Sequence, residues 1–125
     1  MDIALNHSRG AVLIVDDEFL VREFAAEALR NEGYETLEAS DAEEALNILW
    51  MRPEVHTLFT DVNMPGPIDG LALAHIVRRR RPDMRVVVTS GLARPTPEDL
   101  PEEGIFLPKP YHPDVVAKAI SGLDS

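Results

Sequence analysis

Five short apolar runs alternate with stretches of helical periodicity, and that alternation leaves few folds open to this chain. The runs are Ala11 to Val15, Tyr34 to Ala39, Val55 to Thr60, Arg85 to Ser90 and Ile105 to Leu107. The first is apolar throughout and the fourth has Val86-Val87-Val88 at its centre, the pattern of strands buried on both faces. Helical stripes separate them. Leu20, Val21, Phe24, Ala25, Ala28 and Leu29 form one within Phe19 to Asn31, which Gly33 ends. Ala42, Ala45, Leu46 and Leu49 form the next, opened by Ser40 and Asp41 with Glu43 and Glu44 following and closed by Pro53. Asp69 caps a third, in which Ala72 pairs with Ile76 and Leu73 with Val77. Pro113 opens the last, with Val115, Val116, Ala119, Ile120 and Leu123 facing inward. Strands alternating with helices predict an α/β domain whose parallel sheet is covered on both sides.

The rhythm breaks once. Gly91 to Gly104 contains Pro95, Pro97 and Pro101, which leave room for about one helical turn. The helix between the fourth and fifth strands is therefore expected to be short or irregular. A chain of 125 residues suits one domain, expected over residues 11–125 after a loose leader at residues 1–10.

Right-handed crossovers in an open sheet put a ligand site at the carboxyl ends of the strands. The reactive side chains fall there. Asp16 and Asp17 follow the first strand, Asp61 the third, Ser90 the fourth and Lys109 the fifth. Carboxylates gathered at one edge repel one another, and a hard cation such as Mg²⁺ relieves this while leaving room for phosphate oxygens. A lysine ammonium adds a second positive centre and a serine hydroxyl a donor. Such a set suits phosphoryl transfer, in which catalysis is positioning and charge neutralisation. Taken singly, each residue has a duller account. Asp16 can end a strand, Asp17 can cap a helix, and Phe106 can be plain core. Thr89 rivals Ser90 as the hydroxyl; Ser90 is preferred because the small Gly91 follows it. His56 and His75 lack a second ligand at metal-binding spacing.

In order, Val15-Asp16-Asp17-Glu18, Thr60-Asp61-Val62-Asn63-Met64-Pro65, Thr89-Ser90-Gly91 and Lys109-Pro110-Tyr111 resemble the signature of response-regulator receiver domains, over about residues 11 to 123. The resemblance implies a flavodoxin-like (βα)5 fold, doubly wound around five parallel strands. It implies Asp61 as the aspartyl-phosphate acceptor. Asp17, Asp61 and the carbonyl of Asn63 would bind Mg²⁺ (or Mn²⁺) directly, and Asp16 would act through a water. Ser90 would be the switch hydroxyl, Lys109 the phosphate-pairing lysine and Phe106 the aromatic that changes rotamer. The phosphoryl donor would be a histidine kinase or a histidine phosphotransfer protein, and the output a downstream protein, with a homodimer as a further option. Two features depart from the family pattern. The loop Met64 to Gly70 is one residue longer, and the proline-broken segment after the fourth strand replaces a helix that commonly carries the signal. Ordering of Leu92 to Glu103 is one way the chain could signal instead.

Other classes fit less well. A phosphohydrolase with an aspartyl-phosphate intermediate usually has Asp-x-Asp after the first strand, whereas Asp16 and Asp17 are adjacent. A silent interaction module would not need the intact acidic set, and a flavin site would need a phosphate loop after the first strand. A net charge of −10 argues against nucleic acid as partner. The basic cluster Arg78 to Arg81 reads as a solvated helix end complementing the dipole. No apolar run approaches the roughly 20 residues that span a bilayer. With no cysteine and no apolar signal core, a cytoplasmic setting is expected. With no output domain read after Ser125, action by protein contact alone is expected, a receiver excised from a hybrid kinase being the alternative that the sequence leaves open.

Overall fold

The computed structural model describes residues 9–123. The elements follow the expected alternation: β1 Ala11–Val15, α1 Phe19–Asn31, β2 Glu35–Ala39, α2 Ala42–Met51, β3 Val55–Asp61, α3 Gly70–Arg80, β4 Arg85–Ser90, β5 Ile105–Pro108 and α4 Pro113–Leu123. The strands form one sheet in the order β2-β1-β3-β4-β5, and every neighbouring pair is parallel. Chain order reverses between β1 and β3, which opens a crevice at their carboxyl ends. Alternation along the strands feeds two cores. Leu13, Val15, Leu58, Val86 and Val88 pack with Leu49 of α2 and Leu73 and Val77 of α3. Val12, Ile14, Phe59 and Val87 pack on the other face with Ala26 and Leu29 of α1 and Val116 and Ile120 of α4.

Several inward faces differ from the expected stripes. In α1, Leu20 and Phe24 are exposed at 72% and 62%, and the buried side is Ala25, Ala26 and Leu29. Arg22 lies on that same side, and its guanidinium turns inward to bond Glu38 of β2 and the backbone oxygen of Asp16 in the β1–α1 turn. In α3, Ala72 is exposed and Ala74 is buried. The rotation there is fixed by Asp69, which caps Ala72 N, and by Gly70 N, which donates to Val62 O. In α4, Val115 is exposed and Ala117 is buried beside Val116; the side chain of Leu123 lies outside the described residues. Tyr34 is fully buried but precedes β2, because its N–H still closes the end of α1 on Leu29 O. Of the leader expected at residues 1–10, residues 1–8 lie outside those described. Arg9 N donates to Gly33 O, and Gly10 O accepts from Glu35 N.

The β4–β5 crossover holds a single 3-10 turn, Pro97–Asp99, as its prolines require. It is tied down rather than loose. Asp99 and Thr96 form a reciprocal cap, His75 Nε2 donates to Asp99 O at 2.8 Å, and Arg78 donates to Glu102 O. The basic end of α3 is largely engaged within the chain. Arg80 stacks over Trp50 at 4.7 Å, and Arg81 bonds the carbonyls of Pro53 and Val55.

Candidate functional site

The fold brings the predicted acids together. β1 and β3 are neighbours, so Asp16 after one and Asp61 ending the other meet at one edge of the sheet. Asp16, Asp17 and Asp61 each offer a carboxylate oxygen within 4.8 Å of the others. Asp16 and Asp61 are buried and Asp17 is exposed, so the cluster has an inner wall and an open side. Asp16 is fixed at both oxygens, one accepting from Glu18 N at 2.9 Å and the other from Lys109 Nζ at 2.9 Å. Lys109 Nζ also lies 3.3 Å from Asp61 Oδ2. It arrives there because Lys109 N donates to Ser90 O at 2.9 Å just after β5, ahead of a cis Lys109–Pro110 peptide.

Burial pushes the Asp61 carboxyl above its ordinary range, and neighbouring Asp16 adds to this against the opposing pull of Lys109. Burial alone would lower Lys109, but its hydrogen bond to Asp16 and the fields of Asp16 and Asp61 outweigh it and hold the ammonium. Tyr111 packs on Phe59 with ring centroids 5.7 Å apart, and burial, then Asp16 and Asp61, drive its hydroxyl strongly towards the neutral form. The site is therefore short of positive charge by its own chemistry. An all-oxygen donor set with an open side suits a hard divalent cation, which the Asp cluster could hold.

Ser90 and Thr89 part company. The Ser90 hydroxyl accepts from Ala93 N at 2.8 Å, Leu92 N at 3.2 Å and Asn63 Nδ2 at 3.2 Å. Thr89 pairs in register with Asp61, yet its buried hydroxyl has no hydrogen-bond partner among the described residues. Phe106 pairs with Val88 and packs, partly buried, against the core under α2 and α3.

Two residues of the site escaped the sequence reading. A Cβ on Gly70 would lie 1.8 Å from the carbonyl oxygen of Asp61, so only glycine lets α3 start against the end of β3. Its signal was the Asp-Gly pair that opens a helix. Arg22 donates to the Asp16 carbonyl at 2.7 Å, and its signal was a charge at helical spacing from Ala25, Ala26 and Leu29.

A parallel sheet of this order, with acids after β1 and β3 and a lysine after β5, defines the class of CheY-like α/β domains. The chain belongs to the response regulator receiver domain family, whose profile matches residues 12–121. A putative NtrX-like response regulator of Rickettsia felis is 40% identical over 81 residues, which is 64% of this chain and 17% of that protein. The sensor kinase CckA of Brucella abortus is 38% identical over 104 residues, 80% of this chain and 11% of that protein. This chain thus spans only a small part of these curated relatives. Among solved structures, the receiver domain of the hybrid histidine kinase CckA superposes with a TM-score of 0.77 at 38% identity, covering 90% of this chain and 97% of that one. A receiver protein from Sinorhizobium medicae gives 0.82 at 27% identity, covering 90% and 92%. No helix among the described residues is long and apolar enough to cross a membrane.

Proposed function

We propose that this receiver domain accepts a phosphoryl group on Asp61 from the phosphohistidine of a histidine kinase or a histidine phosphotransfer protein. The observation that carries the reading is the acidic trio within 4.8 Å, closed on its inner side by Lys109. An Asp61 carboxylate oxygen attacks phosphorus, the P–N bond breaks, and the released imidazole nitrogen takes up a proton. Water later attacks the acyl phosphate, returning the carboxylate and releasing inorganic phosphate, so the domain is a phosphoacceptor rather than an enzyme acting on a separate substrate. Mg²⁺, or Mn²⁺ with the same donors, held by Asp17, Asp61 and the Asn63 carbonyl and through water by Asp16, would neutralise charge on the transferring group.

The chain's own groups do the rest. Lys109 supplies the second positive centre and Ser90 a hydroxyl proton for a phosphoryl oxygen. The added charge of about −1.5 to −2 draws both residues inward. Ser90 then releases Asn63 and the Leu92–Ala93 amides, which its hydroxyl holds in this structure. That exchange would move the β3–α3 loop and the start of the β4–β5 crossover, with Phe106 following, and present a changed surface to a downstream protein. The test is intact mass after incubation with acetyl phosphate, with and without Mg²⁺. One Mg²⁺-dependent phosphoryl group, absent from Asp61→Ala, is the expected result. Equal labelling of Asp61→Ala would reject Asp61 as acceptor.

A further inference from the structure

Arg22 is the one cation on the inward meridian of α1. Its side chain keeps 15% exposure, and both of its polar bonds cross to other elements. Nε donates to Glu38 Oε1 of β2 at 2.8 Å, and Nη1 donates to the backbone oxygen of Asp16 at 2.7 Å. The Phe19 ring lies against the guanidinium, 5.5 Å from its centre. A guanidinium is planar and its donors are fixed relative to one another, so anchoring Nε on Glu38 aims Nη1 at the carbonyl.

That carbonyl belongs to the peptide joining Asp16 to Asp17. Fixing its plane restrains ψ of Asp16 and φ of Asp17, and so narrows the directions in which both side chains leave the backbone. Asp16 has two further restraints, Glu18 N and Lys109. The Asp17 carboxylate is exposed, so its aim rests on its backbone. Groups that orient a metal ligand in this way commonly shift affinity about as much as a weak ligand does.

We propose that Arg22, oriented by Glu38, is a positioning residue for the metal-binding carboxylates, acting through the Asp16–Asp17 peptide. The inference rests on the reading that these carboxylates hold Mg²⁺. It predicts a sign that simple electrostatics does not. A guanidinium beside an acidic cluster repels a dication, so removing its charge alone would tighten Mg²⁺ binding. Losing the positioning weakens it.

The experiment is calorimetric titration of Mg²⁺ into the unphosphorylated domain, with melting in EDTA measured alongside. Arg22→Met is expected to bind Mg²⁺ about 10-fold more weakly, as loss of an outer-shell partner does. Glu38→Gln, which keeps the cation but loosens its aim and leaves the core untouched, is expected to fall between. Arg22→Lys, with one donor and the charge retained, is expected to recover part of the loss. A purely structural role would lower melting without changing affinity well below the melting point. Unchanged or tighter Mg²⁺ binding in both Arg22→Met and Glu38→Gln overturns this inference alone. Absence of Mg²⁺ binding by the unsubstituted domain overturns the reading of the site and the inference together.

Discussion

Lys109 Nζ lies 2.9 Å from Asp16 Oδ2 and 3.3 Å from Asp61 Oδ2, so the ammonium bonds more closely to the carboxylate that is not the proposed acceptor. The lysine is thus chiefly the counter-charge of the buried Asp16, and on the proposed reading it would shift towards Asp61 to meet a phosphoryl group. Lys109→Met removes that counter-charge and leaves two buried carboxylates facing each other. The expected loss without divalent cations is roughly 2 kcal/mol, below the ~3–5 kcal/mol of a fully buried pair because the ammonium keeps some exposure. Saturating Mg²⁺ should restore part of it. Differential scanning calorimetry with and without Mg²⁺ checks this; a melting point that ignores Mg²⁺ in the variant would contradict it.

Asp61 carries a stability cost with a defined pH signature. Its folded carboxyl titrates above the unfolded value, burial being the main cause, so between those two values the folded state holds the proton more tightly. Stability therefore falls as pH rises through that window, and the full cost is present above the folded value. Asp61→Asn lacks the charge and should melt higher than the wild type at pH 7 in EDTA. The gap should close as pH drops towards the unfolded carboxylate value near about 4. Melting curves of both proteins across pH 3.5 to 7.5 read this directly, and a variant less stable at neutral pH would show that pairing with Lys109 outweighs burial.

Most of the sheet was legible because its signals are local. Continuous apolar runs mark strands buried on both faces; β1 and β4 end at Val15 and Ser90 as expected, while β3 and β5 run one residue past Thr60 and Leu107. Asp16, Asp61 and Lys109 could be grouped before any contact was seen, since the topology of parallel strands forces those ends together. Helix rotation was less legible. The stripe through Leu20 and Phe24 is as periodic as the one through Ala25, Ala26 and Leu29, and the inward bonds of Arg22 on the buried side are long-range contacts that periodicity does not encode. Gly70 is similar. Its need for a bare Cα comes from Asp61, nine positions away in sequence and in contact only through the fold.

Ser90 and Thr89 offer a paired test of which hydroxyl matters. The Ser90 hydroxyl caps two backbone amides and accepts from Asn63, so Ser90→Ala should leave those amides unsatisfied at about 1–2 kcal/mol and raise hydrogen exchange at Leu92 and Ala93. Thr89 buries a hydroxyl without a partner, and Thr89→Val exchanges it for a methyl of similar shape. Relieving an unsatisfied buried polar atom should leave stability unchanged or raise it. Chemical denaturation of the two variants separates them, and a larger loss for Thr89→Val would assign the structural hydroxyl to Thr89.

The tightest constraint on Asp61 is steric. α3 begins where Gly70 N donates to Val62 O at 2.8 Å, and a Cβ at Gly70 would stand 1.8 Å from Asp61 O, 2.7 Å from Asp61 C and 2.9 Å from Val62 Cα. All three are backbone atoms, so no side chain can swing aside. Gly70→Ala must push α3 off the sheet or displace the end of β3, at about 3 kcal/mol or more. Gly66, in the same loop, is the control. Its φ of 97° disfavours a side chain, but nothing lies within 4 Å of its Cβ position, so Gly66→Ala should cost only about 1–2 kcal/mol of backbone strain. The two should also differ in function. Gly70→Ala moves Asp61 relative to Asp16 and Lys109, so Mg²⁺ affinity and labelling by acetyl phosphate should fall further than the folded fraction does. Gly66→Ala should lose labelling only in proportion to folding. Equal behaviour of the two variants, measured at matched folded fraction, would mean that the approach of α3 to Asp61 shapes the fold without setting the geometry of the proposed acceptor.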